Sequence, residues 1–82
     1  MILVDVYIPS LDNNFDFMLD ENTLIEKIIL EISEMISKKV KGENNVNYNE
    51  LSLYWVERKH RLERGKTLYS CGISDGCRLM LV

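Results

Sequence analysis

The sequence predicts an α+β domain: a mixed sheet of four to five strands packed on one main helix, in the order β-β-α-β-(β)-β. Three observations carry the prediction. Two period-two apolar runs stand at the amino end, one apolar stripe at helical spacing follows, and short alternating runs fill the second half. At 82 residues the chain is expected to be one domain spanning residues 1–82, with no room for a second core.

The opening "ILVDVYIP" places Ile2, Val4, Val6 and Ile8 on one side of a strand and Leu3, Asp5 and Tyr7 on the other. Asp5 belongs to the second set, so the first set faces the core. Pro9 lacks an N–H and stops the run, and "SLDNN" supplies turn residues that tolerate left-handed backbone. "FDFMLD" alternates again, with Phe15, Phe17 and Leu19 against Asp16, Met18 and Asp20, and closes a hairpin.

The helix comes next. Thr23 and Glu26 stand at capping-box spacing. Ile25, Ile28, Ile29, Ile32, Met35 and Ile36 form its apolar stripe. Glu34 lies four residues before Lys38, the favourable order for an exposed pair. Lys38, Lys39 and Lys41 collect where the helix dipole favours cations, and Gly42 suits a left-handed cap. β-branched isoleucines are mediocre helix formers, so packing must hold the helix in place.

"ENNVNYNE" reads as a polar loop. "LSLYWVE" is a third strand, with Leu53 and Trp55 on one face and Tyr54 and Val56 on the other. "RKHRLERG" holds a turn and a very short strand around Leu62. Leu68 and Ile73 anchor an irregular crossing, and "SDG" turns the chain into a last strand. There Leu79 and Leu81 alternate with Arg78, Met80 and Val82.

Composition excludes several functions. Apolar residues make up 46% and charged ones 28%, which suits a globular domain. No apolar run approaches the roughly 20 residues of a membrane span. The amino end lacks a basic region and a cleavage site, so no signal peptide and a cytoplasmic location are expected. Cys71 and Cys77 match no common zinc spacing and read as two reduced, partly buried thiols. His60 is the single histidine, in a charged turn, and no base or orienting group is spaced to serve it. No Gly-rich phosphate loop follows a strand, and Asp16, Asp20 and Glu21 do not form a calcium loop. The expectation is therefore no enzyme, no cofactor and no metal.

Charge is uneven. Residues 1 to 37 carry eight acidic side chains against Lys27 alone, and the remainder carries nine basic against five acidic. The basic run "RKHRLERGK" could serve nucleic acid, but Trp55 is assigned to the core face and the net charge is -3, so none is expected.

A resemblance now enters. "LYWVERKHRLERGKTLYSCGISDGCRLMLV", with Leu62, Gly65, Thr67-Leu68, Ile73 and Leu79-x-Leu81-Val82, resembles the ubiquitin-like β-grasp pattern. With the β-β-α order before it, the resemblance covers nearly the whole chain and is weakest over Glu43 to Glu50. "TLYSCGISDGCRL" is similar to the L-x-x-C-G-I-x-x-G-D-R-L ending of small bacterial YukD-like proteins, ubiquitin-like components associated with type VII (WXG100-protein) secretion systems. Leu68, Cys71, Gly72, Ile73, Gly76, Arg78 and Leu79 match that ending, and Cys77 stands where an acidic residue is usual.

The resemblance implies a non-enzymatic accessory or regulator of type VII secretion that binds protein partners. Conjugated modifiers and sulfur carriers extend the last strand into a thin Gly-Gly tail. This sequence stops at β-branched Val82, so a non-conjugated protein is expected. Two alternatives stay open: a modifier or carrier whose tail is missing, and a small redox protein using Cys71 and Cys77.

In a β-grasp sheet the first, last and third strands are adjacent. The face away from the helix would then gather Leu3, Tyr7, Tyr54, Val56, Met80 and Val82 as a partner-binding surface. Arg58, Lys59, Arg61, Arg64 and Lys66 form a candidate basic edge that would steer an acidic partner. The competing reading is that Asp5 and Arg78 divide the patch into isolated residues. No membrane insertion is expected, and homo-oligomerisation is left open.

Overall fold

Alternation fixes the first hairpin. β1 (Ile2–Ile8) buries Ile2, Val4, Val6 and Ile8 on one face. β2 (Asn13–Leu19) pairs with it antiparallel, from Ile2 opposite Leu19 to Ile8 opposite Asn13. A single 3-10 turn over Pro9–Leu11 joins them, with Pro9 in the first turn, where a missing N–H costs nothing, and Asp12 in the left-handed region at φ 47°. Phe17 and Leu19 are buried as expected, while Phe15 is half-buried. The architecture is that of a computed structural model that describes residues 1–39 and 50–82.

α1 (Ile25–Lys39) lies across the inner face of the sheet. Ile25, Ile28, Ile29 and Ile32 are wholly buried, each worth about 1.5–3 kcal/mol of apolar burial, which offsets their poor propensity. Two expectations are corrected here. Met35 is exposed rather than part of the stripe, and Ser33 is buried in that region instead, its hydroxyl donating to the Ile29 carbonyl at 2.7 Å. The helix start is satisfied by another segment, not by a Thr23–Glu26 capping box. The Ile25 N–H donates to the Lys66 carbonyl at 2.8 Å and the Glu26 N–H to the Arg64 carbonyl at 3.2 Å. Sequence spacing finds local caps, whereas these carbonyls arrive from some 40 residues away. The Gly42 cap, the Glu34–Lys38 pair and the loop expected from Glu43 to Asn49 involve positions outside the described residues or side chains.

β3 (Leu53–Trp55), β4 (His60–Arg61) and β5 (Arg78–Leu81) complete a five-stranded sheet in the order β2-β1-β5-β3-β4. β5 runs parallel to β1 and antiparallel to β3, so the last strand lies at the centre. The short strand expected around Leu62 falls just before it, at His60–Arg61, and Leu62 is buried.

The crossing into β5 is built from local polar chemistry. The Thr67 and Ser70 hydroxyls each accept the other residue's backbone N–H at 3.1 Å. Gly72 and Gly76 both sit at φ 85°, where a side chain would be strained. Asp75 Oδ1 accepts the Leu3 N–H at 2.8 Å, and the Gly76 N–H donates to the Leu3 carbonyl at 2.9 Å. The turn thereby extends the β1–β5 ladder before β5 itself begins. Cys71 and Cys77 are free, half-buried thiols packed against the core.

Candidate functional site

Three adjacent strands place the central residues. Tyr7 on β1 stands opposite Met80 on β5, and Met80 stands opposite Tyr54 on β3. Tyr7 also faces Asn14 on β2, and Tyr54 faces Arg61 on β4. One row therefore crosses all five strands away from the helix: Asn14, Tyr7, Met80, Tyr54, Arg61. Period-two alternation dictates this, because Val6, Leu53, Leu79 and Leu81 beside the row are all buried on the opposite face.

Tyr7, Met80 and Tyr54 are half-buried, and with Val56, Lys59 and Arg78 they help line a shallow concavity of about 490 Å³. Tyr7 is anchored: its hydroxyl donates to Asp12 Oδ1 at 2.9 Å. That hydrogen bond to an anion holds the phenol proton and pushes its pKa above the ordinary tyrosine value. The left-handed Asp12 that ends the connecting turn thus also orients a ring of the site.

The next row is charged. Asp16, Asp5 and Arg78 stand in register across β2, β1 and β5. Arg78 is clasped by Glu57, whose carboxylate accepts the Arg78 backbone N–H and its Nε, each at 3.0 Å. The backbone donor first and the guanidinium second hold the Glu57 carboxyl below its usual range.

The apolar residues named from the sequence divide accordingly. Tyr7, Tyr54, Val56 and Met80 gather in the concavity. Leu3, 45% exposed, lies beyond the Asp5–Arg78 row and opposite Met18, which is 55% exposed. Val82 sits at the far end of the sheet and exchanges two backbone hydrogen bonds with Ser52, at 3.0 and 2.7 Å. It lines a separate apolar concavity of about 390 Å³ with Pro9, Leu11, Ile36 and Leu51.

The basic residues divide too. Arg58, Lys59 and Arg61 surround the β3–β4 turn. The Arg58 guanidinium lies 5.4 Å from the centre of the Trp55 ring, and Lys59 takes the left-handed conformation at φ 54°. Arg64 instead is half-buried and donates to the Leu51 carbonyl. Lys66 stands 3.8 Å from Glu63.

Trp55 packs against the core as expected, although it is only half-buried. Its buried indole Nε1 has no hydrogen-bond partner among the described residues. His60 is exposed, as expected, but it stands on β4 rather than in the turn, and its ring meets Trp55 edge-on at 6.1 Å. Sequence reasoning missed Asn14 and Asp12 at the site. The hairpin register that puts Asn14 opposite Tyr7 would have found the first.

No protein-family model matches the chain, and no curated protein matches it. Solved structures do. The N-terminal ubiquitin-like domain of the 4931431F19Rik protein is 25% identical with a TM-score of 0.75, the match covering 99% of this chain and 72% of that one. The ubiquitin-like domain of Arabidopsis thaliana protein At2g32350 is 18% identical with a TM-score of 0.74, covering 99% and 74%. The ubiquitin of Caldiarchaeum subterraneum is 16% identical with a TM-score of 0.73, covering 98% and 89%. One helix on this five-stranded mixed sheet is the ubiquitin-like β-grasp fold.

Proposed function

We propose that this ubiquitin-like β-grasp chain is a non-enzymatic, non-conjugated docking protein of the bacterial cytoplasm, and an accessory or regulatory component of a type VII secretion system. The observation that carries the docking role is the in-register row Tyr7–Met80–Tyr54, an adaptable thioether between two aromatic rings. Arg61 continues the row and Lys59 lines the concavity, so an apolar partner segment with acidic flanks suits this face. Support for the secretion role is the YukD-like spacing of Leu68, Cys71, Gly72, Ile73, Gly76, Arg78 and Leu79. In the fold, Gly72 and Gly76 both occupy left-handed turns and Leu68, Ile73 and Leu79 are buried, so that motif is the structural crossing itself.

The test is affinity capture from a bacterial lysate with the wild-type chain beside a Tyr54→Asp/Met80→Asp variant, followed by intact-mass analysis. Type VII components held non-covalently by the wild type and lost in the variant are the expected result. A covalent adduct, or secretion components retained equally by both chains, overturns the reading.

A further inference from the structure

The sheet has a second surface that the docking row does not use, the outer edge of β2. Its backbone direction follows from the bonds of β1. The Asp5 N–H donates to the Cys77 carbonyl at 3.1 Å and the Gly76 N–H to the Leu3 carbonyl, so odd-numbered β1 residues turn their backbone groups toward β5. In an antiparallel ladder their opposite numbers, Asn14, Asp16 and Met18, then form non-hydrogen-bonded pairs with them and turn theirs outward. Asn14 agrees: its N–H is closed off by the Asn13 side chain at 2.9 Å instead of by β1. Asp16 and Met18 keep open backbone groups on a strand of seven residues, with no helix or bulge over the edge among the described residues.

Charge then selects the occupant. Residues 1–26 contain no lysine or arginine. Asp16 makes no hydrogen bond or ion pair among the described residues, and it stands directly opposite Asp5, whose Oδ1 receives only the Asn14 amide at 3.1 Å. Non-hydrogen-bonded pairs bring side chains closest, and like charges so placed repel. Arg78, on the other side of Asp5, is already clasped by Glu57. The fold therefore leaves the Asp16 carboxylate without a donor or a cation among the described residues, beside an open ladder. A second copy is a poor occupant, because two-fold pairing of β2 about its midpoint sets Asp16 against Asp16.

We infer that the β2 edge takes an extended segment of another polypeptide by strand addition, with a lysine or arginine of that segment opposite Asp16. Backbone hydrogen bonds to Asp16 and Met18 hold the segment, and the cation supplies its register and selectivity. The site is separate from the Tyr7–Met80–Tyr54 row and takes the opposite charge.

Two acetylated, amidated seven-residue peptides of alternating valine and threonine test this, one with lysine and one with glutamate at the centre. Amide chemical shifts and hydrogen exchange of the labelled chain are followed during titration. The lysine peptide should shift and protect the Asp16 and Met18 amides, and bind about three- to tenfold more tightly than the glutamate peptide at low salt. Asp16→Lys, checked for folding by its thermal melt, should reverse that preference. Equal affinity for the two peptides, shifts confined to Tyr54 and Met80, no binding at all, or dimerisation of the chain through β2 would each overturn the proposal.

Discussion

The two edges of the sheet differ in length, charge and what they offer a partner. β2 runs for seven residues and presents open backbone beside the Asp16 carboxylate, which has no partner among the described residues. β4 runs for two and is surrounded by Arg58, Lys59, His60 and Arg61, so it offers side chains and little ladder. The acidic first half and basic second half of the sequence thus become opposite margins of one surface. The cause is topological: the last strand inserts between β1 and β3, which pushes β2 and β4 outward. A chain of net charge -3 can therefore carry a cationic rim and an anionic one at once.

The largest effect should come from the strand that joins both margins. Leu79 is fully buried on β5, which pairs with β1 on one side and β3 on the other. Leu79→Ala should lower the unfolding free energy by about 2–5 kcal/mol in urea titration, with both edges lost in one transition. Two separate transitions would mean that the edges are independent units.

Next comes the docking row. Tyr54→Asp/Met80→Asp should weaken partner binding about tenfold or more while leaving the lysine peptide bound at β2, as read by the same amide shifts. Loss of both activities would show one continuous surface in place of two.

A smaller and opposite effect is expected at β2. Asp16→Asn should raise stability by about 0.2–1 kcal/mol at low salt, and the gain should shrink as salt screens the Asp5–Asp16 repulsion. A fall in the urea midpoint would show that this carboxylate is compensated after all.

The pH response should be the mildest. Glu57 is held below its usual range by Arg78, and Glu21 by the hydrogen bond and charge of the Met1 amino group 2.9 Å away. Lowered carboxyl values mean stability that is present above the ordinary glutamate pKa and lost as pH falls below it, through the folded values. The Met1 amino group is shifted upward, chiefly by its hydrogen bond to Glu21. Its contribution is complete below the ordinary α-amino value and lost as pH rises through the folded one, above about 8. In melting curves across pH, Glu57→Gln should flatten the acid limb alone, and Glu21→Gln both limbs. Parallel curves for all three chains would remove these pairs as the source.

Much of the site could be read in advance because strand alternation is local. Tyr7, Tyr54 and Met80 were assignable to one face from their buried neighbours Val6, Leu53 and Leu79 alone. Leu3 and Val82 share that parity, but they were separable from the rest only by position along the strands, once the register placed Asp5 against Arg78 and Val82 against Ser52. Arg64 looked like part of a basic run, yet its side chain is spent on the Leu51 carbonyl. Charge runs record composition, and side-chain direction in a short irregular segment depends on which distant carbonyl lies within reach.

By itself the sequence determined the element order, the inward faces of β1, β2 and β5, the isoleucine stripe of α1 and the opposing charges of its two halves. Those properties follow from period and composition, which a one-dimensional string contains. Only the tertiary structure decided the register of β5 against β1 and β3, that the segment from Arg64 to Lys66 caps the helix, and that Asp16 meets Asp5 with no cation between them. Each depends on long-range pairing, where the register of one strand against another selects which side chains become neighbours.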